Sequence, residues 1–167
     1  MPVLRLVLLA ALTGALLTGA APAVAAPPVP VGTYGWPLAG TPSVTRPFAP
    51  PASTYGPGHR GVDLAGPAGA PVLAAGAGVV AFAGMVAGRP VVSVDHPDGV
   101  RTTYEPVQPT VAAGQPVARG APVGVLLAGH AGCPVEACLH WGARTGETYL
   151  DPLLLLTPPG VRLLPWG

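Results

Sequence analysis

The sequence contains no lysine: all eight basic residues among its 167 are arginines. Without a lysine amine, the chain cannot form a Schiff base with a carbonyl substrate. It also has no lysine to which biotin or lipoate could be attached. Charged residues make up only 9% of the chain and the formal net charge is +1, so we expect no binding surface for nucleic acid or for anionic lipid.

Cysteine and aromatic residues are scarce, whereas glycine and proline are abundant. Two cysteines and 5% aromatic residues stand against 24 glycines and 24 prolines. Abundant glycine, proline and valine with few helix formers is typical of short strands joined by many turns. No segment has the periodicity of a convincing amphipathic helix. The composition therefore predicts one all-β domain.

The amino-terminal segment has the order of features typical of a secretory signal peptide. One charge, Arg5, precedes an apolar run from Leu6 to about Leu17, and Ala23-Val24-Ala25 fits a small-x-small cleavage site. The apolar run is too short to span a bilayer comfortably, although retention as an uncleaved anchor is the alternative. We expect cleavage after residue 25, an extracytoplasmic location and no membrane insertion of the mature chain.

The rest of the chain divides into a linker, one domain and a short tail. Repeated prolines predict an extended linker over residues 26–40, because proline removes backbone donors and resists packing. The folded domain is predicted over residues 41–160, and residues 161–167 form the tail. The leucines of residues 153–156 are expected to cap the core. The candidate strands are residues 71–74, 78–83, 90–95, 100–104, 122–127, 137–144 and 148–150.

Two histidines and an aspartate form the most informative pattern in the chain. His59 and Asp63 lie four residues apart, so both side chains can face the same side of a strand or a helix. His140, far downstream, could come from a distant strand and complete a three-ligand pocket. Three nitrogen and oxygen ligands with an open fourth position are typical of catalytic zinc. His59, Asp63 and His140 are therefore candidate zinc ligands.

Several motifs together resemble those of the lysostaphin/LytM-type zinc endopeptidases, which cut peptides in bacterial peptidoglycan. These motifs are residues 58–65, 70–80 and 114–120, in that order before Leu139-His140-Trp141. The resemblance covers roughly residues 42–156. It implies a compact, mostly antiparallel β-sandwich or barrel-like core with a metal groove across one sheet, and it places the zinc ligands at His59, Asp63 and His140. Peptidoglycan is the implied partner, and we expect a monomer.

Two positions depart from the pattern of that family. The family's last motif is His-x-His, whose first histidine is catalytic, and here Cys138 stands in its place. A second catalytic histidine normally follows a Thr-x-Tyr-x pattern, and here that position holds Pro106. Positioned acid–base groups contribute roughly 100- to 10,000-fold in rate. A degenerate domain that binds cell wall or regulates another wall hydrolase is therefore the alternative to a peptidase.

Two residues are candidates to substitute for the missing histidines. Glu105 neighbours one vacant position, but on a regular strand it points to the opposite face from Tyr104 and Pro106. His130 reaches the groove only if the loop before Cys133 folds back over it. The simpler alternatives are a solvated glutamate and a loop histidine.

The two cysteines have three alternative states. In an exported chain, Cys133 and Cys138 most simply form a disulfide. Strand alternation instead places Cys138 and His140 on one face, so that a thiolate could be a fourth zinc ligand and close the site. A free, buried thiol is the remaining alternative.

Five other residues near these motifs have simpler expected roles. His96, in the segment Asp-His-Pro-Asp-Gly, is expected to be a turn residue rather than a ligand. Arg60, between two candidate ligands, could hold the substrate or the aspartate. The aromatic residues expected in the core or in a groove wall are Tyr104, Trp141 and Tyr149.

Overall fold

Short antiparallel strands account for nearly all the regular structure of the chain. The structure, a computed structural model, describes residues 34–53 and 56–156; the predicted signal peptide, the first part of the linker and the tail lie outside these ranges. The strands are β1 Val44–Arg46, β2 Gly61–Gly66, β3 Pro71–Leu73, β4 Gly78–Val86, β5 Arg89–Asp95, β6 Val100–Glu105, β7 Val107–Pro109, β8 Pro116–Val117, β9 Pro122–Leu126, β10 Ala137–Thr145 and β11 Thr148–Leu150.

The strands form two sheets in which all neighbours are antiparallel. The larger sheet has the order β1, β2, β10, β6, β5, β4, β8, with β11 paired to β10, and the smaller sheet has the order β3, β9, β7. The all-β prediction is confirmed. Seven strands were predicted to within a few residues, whereas β1, β2, β7 and β8 were not among the predicted strands. β1, β7 and β8 have only two or three residues, too few for a recognisable alternation, and β2 begins with four consecutive buried residues, which do not alternate either.

The hydrophobic core lies between the two sheets. In β6, the residues Val100, Thr102 and Tyr104 are buried, and the residues that alternate with them are only half-buried. The larger sheet also contributes Val62, Leu64, Leu139 and Trp141 to the core, and the smaller sheet contributes Val72, Val107, Val123 and Leu126. The smaller sheet therefore covers one face of the larger sheet, and the opposite face remains open for a site.

The last residues of the predicted linker pack against this core. Tyr34 and Leu38 are only 8% and 5% exposed and belong to the core cluster. The backbone is also held there, since the amide of Gly35 donates to the carbonyl of Ala75 over 2.7 Å. The packed part of the chain has therefore begun by Tyr34, within the segment predicted as a linker, because apolar side chains between its prolines are buried.

The closing leucines lie on the core, as expected from the sequence. Pro152–Leu156 forms a 3-10 helix, and Leu153, Leu155 and Leu156 pack against the core cluster. Within residues 34–53 and 56–156, no helix has the length and apolar character needed to cross a bilayer.

A chain of buried hydrogen bonds links His96 to the backbone across the core. Its Nδ1 lies 2.9 Å from the carbonyl oxygen of Ala77 and its Nε2 lies 2.8 Å from the hydroxyl of Thr102. The Thr102 hydroxyl is 2.8 Å from that of Tyr104, which accepts a hydrogen bond from the amide of Ala75. Every donor has an acceptor if His96 is neutral and protonated at Nδ1.

His96 is therefore both a turn residue and a buried structural residue. The amide of Gly99 donates to its carbonyl, as expected for a turn, yet the residue is only 6% exposed. Burial lowers the pKa of His96, although the hydrogen bond to Ala77 and the carboxylates of Asp98 and Asp95 oppose this effect. Because the folded-state pKa lies below the unfolded value, His96 stabilises the fold fully above about pH 6.5 and progressively less below it.

We expect His96→Leu to lower the free energy of unfolding by about 1–3 kcal/mol, because the Ala77 carbonyl and the Thr102 hydroxyl lose their partner. His96→Gln, which keeps a donor and an acceptor, should cost less. Both variants should lose stability less steeply than wild type between pH 7 and pH 5, measured by urea unfolding at several pH values. A wild-type pH dependence in both variants would contradict the role of His96.

Candidate metal centre

Pairing between two strands and one bridge brings the candidate ligands together on the open face of the larger sheet. Asp63 of β2 lies directly opposite His140 of β10, so the two side chains project from the same face. His59 precedes β2 and is held by an isolated antiparallel bridge to Ala49, whose amide donates to the His59 carbonyl over 3.0 Å. The strand pair therefore fixes the backbone at Asp63 and His140, and the bridge fixes it at His59.

The three side chains converge on one point. His59 Nε2 and His140 Nδ1 each lie 2.9 Å from Asp63 Oδ1, and the two nitrogens are 3.0 Å apart. His59 and Asp63 are buried, and the side chain of His140 is 15% exposed. The structure therefore brings together the three residues that the sequence singled out, with one edge of the cluster accessible.

The carbonyl of Pro47 determines which nitrogen of His59 faces the cluster. His59 Nδ1 lies 2.7 Å from this oxygen, which can only accept, so Nδ1 carries the proton. A neutral His59 then presents the lone pair of Nε2 to Asp63 Oδ1, which is itself an acceptor. Electron-pair donors that converge in this way, with the tautomer of one imidazole fixed by a carbonyl, fit a bound metal ion. Pro47 is a contributor that the sequence did not single out.

Asp63 is ionised in this arrangement. Burial alone would raise its pKa, but the hydrogen bond with His140 and the nearby imidazoles of His130 and His59 outweigh that effect and lower the pKa. An anionic carboxylate between imidazoles is the form that a metal ion requires of its ligand.

Glycine at position 61 is required by the close approach of β10. A Cβ built at Gly61 would lie 2.4 Å from the carbonyl oxygen of Trp141 and 2.8 Å from the imidazole ring of His140. Any side chain at this position would displace the strand or the ring. The glycine between the two ligands of the first motif therefore gives His140 the space to reach the cluster.

The loop between β9 and β10 folds back and places His130 beside the cluster. His130 Nε2 lies 3.2 Å from Asp63 Oδ2, the second oxygen of that carboxylate, and its side chain is 12% exposed. The His130 ring also stacks on that of His140, with ring centroids 5.9 Å apart and an interplanar angle of 22°. The loop therefore folds back over the groove, as His130 would need in order to reach the cluster.

A disulfide between Cys133 and Cys138 fastens this loop to β10. The two Cα atoms lie 5.6 Å apart, and the amide of Cys133 donates to the carbonyl of His130 over 3.2 Å. Cys138 is fully buried, with its sulfur 3.5 Å from the hydroxyl of Thr45. Because both sulfurs are bonded to each other, neither a thiolate ligand nor a free thiol exists in this state.

The two positions that hold histidines in the resembling family carry no ionisable group here. Pro106 is buried directly after β6, and Cys138 is in the disulfide. Glu105 is the cross-strand partner of His140 and lies on the open face, whereas Tyr104 is buried in the core. The Glu105 carboxylate is engaged by Arg89, whose Nε lies 3.3 Å away. Glu105 thus shares a face with the cluster but is already paired.

Two adjoining clefts open beside the cluster. The larger, of about 770 Å³, lies next to Glu147 and Ser53, and the smaller, of about 210 Å³, includes His140 itself. Arg60 and Tyr149 line both clefts, and the Arg60 guanidinium lies 5.4 Å from the centroid of the Tyr149 ring. Tyr149 is therefore a groove-wall residue, whereas the other two aromatic residues predicted for this region, Tyr104 and Trp141, belong to the core.

A two-sheet antiparallel fold with a His–Asp–His cluster on its open face defines a metallopeptidase-like domain. Residues 57–152, which include all three cluster residues, match the family model described as Peptidase family M23. The chain belongs to peptidase family M23, and the resemblance stated from its motifs is confirmed.

The curated relatives of the chain are longer than the chain itself. It is 52% identical over 153 residues to the uncharacterized protein Rv2891 of Mycobacterium tuberculosis, a match that covers 89% of this chain and 60% of that protein. It is 30% identical over 146 residues to the uncharacterized lipoprotein YgeR of Escherichia coli, covering 86% of this chain and 55% of that protein. The chain thus spans a little over half the length of these relatives.

Solved structures share the fold. A Pseudomonas aeruginosa protein assigned to peptidase family M23 superposes with a TM-score of 0.56 at 27% identity, covering 80% of this chain and 55% of that one. The catalytic domain of the antimicrobial peptidase lysostaphin from Staphylococcus simulans superposes with a TM-score of 0.58 at 23% identity, covering 69% of this chain and 92% of that one. At this identity, the similarity to the lysostaphin domain supports only the shared two-sheet architecture.

The geometry predicts that the purified domain binds about one divalent metal ion per chain, since three convergent ligands with an open fourth position are typical of such a site. His59→Ala, Asp63→Ala and His140→Ala should each abolish the binding, measured with added zinc by elemental analysis after gel filtration. His96→Gln, which changes a histidine outside the cluster, is the control and should bind like wild type. Full metal retention in any of the three cluster variants would reject the ligand assignment.

The disulfide predicts a chemical and an energetic result. Alkylation of the exported protein under denaturing, non-reducing conditions should label neither cysteine. In metal-free protein, replacing both Cys133 and Cys138 with alanine should lower the free energy of unfolding by about 2 kcal/mol, the value expected for closing so short a loop. Two labelled thiols in the exported protein would contradict the pairing.

Proposed function

We propose that this chain is an extracytoplasmic zinc endopeptidase that cleaves stem or cross-bridge peptides of peptidoglycan. The observation that carries the proposal is the cluster of His59, Asp63 and His140, whose donor atoms converge beside an open cleft in a member of peptidase family M23. The predicted signal peptide at residues 1–25 and the disulfide both support a location outside the cytoplasm. The donor set of two nitrogens and one carboxylate oxygen favours zinc.

Each cluster residue has a distinct task in holding the metal. Zinc held there would act as a Lewis acid on a peptide carbonyl and would make water a stronger nucleophile. Asp63 supplies the negative charge, and its contacts with two imidazoles fix the orientation of its carboxylate. Pro47 holds the His59 ring with Nε2 towards the cluster. His140, the partly exposed member, borders the cleft through which a peptide can approach.

We assign the missing proton-transfer role to His130. A peptide bond breaks only when its leaving amine receives a proton, and the family positions for this task hold Pro106 and Cys138. His130 lies over the cluster, with Nε2 close enough to Asp63 Oδ2 for its N–H to donate a hydrogen bond to that carboxylate. The ion pair with Arg89 makes Glu105 the weaker candidate, because its carboxylate is already engaged.

The alternative is a domain that has lost turnover and binds cell wall or regulates another wall hydrolase. The specific observation in its favour is that both outer histidines are replaced, one by a buried proline and one by a half-cystine. Such a domain would keep the cluster and the cleft, and with them the ability to hold a metal ion and a peptide.

We expect the zinc-loaded mature domain to release new free amines from purified sacculi, and a chelator or His59→Ala to stop the release. His130→Ala should lower the rate by roughly 100-fold or more while leaving the bound zinc unchanged, because a positioned acid–base group is lost. Glu136→Gln, an exposed change in the same loop, is the matched control and should be as active as wild type.

Two results separate the hypotheses. If wild type binds zinc and sacculi but releases no amines from several wall types, the endopeptidase proposal is rejected and the binding or regulatory role stands. If wild type is active and His130→Ala is equally active, the peptidase proposal stands and the role of His130 is wrong.

A further inference from the structure

Beyond the metal cluster, the open face of the larger sheet carries further polar residues on β10 and β6. His140, Gly142 and Arg144 alternate along β10 and therefore project from one face. Their cross-strand partners on β6 are Glu105, Thr103 and Arg101, respectively. The row of His140 is thus followed by a row of small residues and then by a row of two arginines.

The small middle row leaves a cleft that connects the cluster to the arginines. Gly142 has no side chain, and a Cβ built there would meet the carbonyl oxygen of Arg60 at 3.4 Å. The cleft of about 210 Å³ is lined at one end by His140 and at the other by Arg144 and Arg101, with Arg60 at its wall. Arg144 lies four positions after His140 on β10, so their Cα atoms are about 13 Å apart at the usual rise of an extended strand.

The charges around this cleft are mainly positive, and they are neutralised to different degrees. Arg101 is held by two short hydrogen bonds to Asp95, of 2.5 and 2.7 Å, which position it and cancel its charge. Arg144 donates a hydrogen bond to the carbonyl oxygen of Gly146, and its contact with a carboxylate is a long one, of 3.6 Å, with Glu147, whose side chain is 96% exposed. An ion pair so exposed to water contributes little, so an anion in the cleft can replace it at small cost.

We propose that this cleft is a carboxylate-binding subsite, in which Arg144 binds a free carboxylate of the peptide substrate a few residues from the bond beside His140. Its guanidinium can form two parallel hydrogen bonds with a carboxylate. Arg60, whose guanidinium is placed at the wall by the Tyr149 ring and by the carbonyl of Gly56, adds positive charge. The substrate class is therefore an acidic peptide rather than one without charged side chains.

This inference rests on one part of the proposed function, namely that the open face binds a peptide. Its test therefore measures peptide binding rather than cleavage. The probes are a stem-type peptide with a glutamate that keeps its free carboxylate, and the same peptide with glutamine at that position. Each is titrated by calorimetry into the zinc-loaded full domain. Wild type should bind the glutamate peptide about 10-fold more tightly, as expected for one charge-assisted hydrogen-bonded pair at a partly exposed site.

A double-mutant cycle assigns that preference to one residue. Arg144→Gln should weaken binding of the glutamate peptide about 10-fold and leave the glutamine peptide unchanged, since only the former presents a charge to the arginine. Arg119→Gln removes the same charge from an exposed position outside the cleft and is the control for net charge. In an active protein, Arg144→Gln should raise KM for the glutamate peptide and change kcat little.

Equal binding of the two peptides, equal weakening of both by Arg144→Gln, or no binding of the glutamate peptide would each overturn the subsite. Failure of the endopeptidase proposal has a different signature, because bound peptide would then remain uncleaved while the glutamate preference persisted.

Discussion

The Asp63 carboxylate is the interaction on which the arrangement of the site depends. One of its oxygens contacts His59 and His140, and the other contacts His130. A buried carboxylate without partners would be costly, so these imidazoles are required by the fold as well as by any chemistry. The register between β2 and β10 sets this geometry, because it places His140, and no other residue of β10, opposite Asp63. A shift of one residue would send one of them into the core.

The site also differs from the family pattern in how its outer groups are placed. In the family pattern, the strand position two residues before His140 carries a catalytic histidine, and here it carries Cys138. The disulfide partner of Cys138 is Cys133, which lies in the same loop as His130 and donates a hydrogen bond to its carbonyl. The imidazole nearest to the cluster residues thus comes from a loop that a covalent link holds, rather than from the strand that carries His140. The cysteine that stands in place of the family's histidine also fastens the loop that carries His130.

The sequence predicts the parts of this structure that depend on local pattern. His59 and Asp63 are close in the chain, and the strands from β3 to β6 have clear boundaries at glycine or proline. Contacts between distant segments could not be derived in this way. The position of His130 depends on the path of a loop, and the burial of His96 depends on partners contributed by other segments. His140 was a candidate by its residue type, and only the family resemblance placed it with the other two ligands, since spacing alone does not give strand register.

Some features that the sequence analysis missed did have a signal. Tyr34, Trp36 and Leu38 stand at every second position within the proline-rich segment, an alternation that predicts contact with an apolar surface. Arg144 stands four residues after His140 on the same strand, so strand alternation alone places both on one face. By contrast, the role of Pro47 has no signal in the sequence, because its backbone carbonyl, and not its side chain, contacts His59.

The covalent link between Cys133 and Cys138 gives the assembly of this site an order in time. Disulfides form in oxidising compartments, whereas cysteine thiols are kept reduced in the cytosol. A newly made chain therefore has its three cluster residues before it has a fastened loop over them. The covalent fastening of the His130 loop therefore forms only where the two thiols can be oxidised, and this part of the site depends on the redox state of the surroundings.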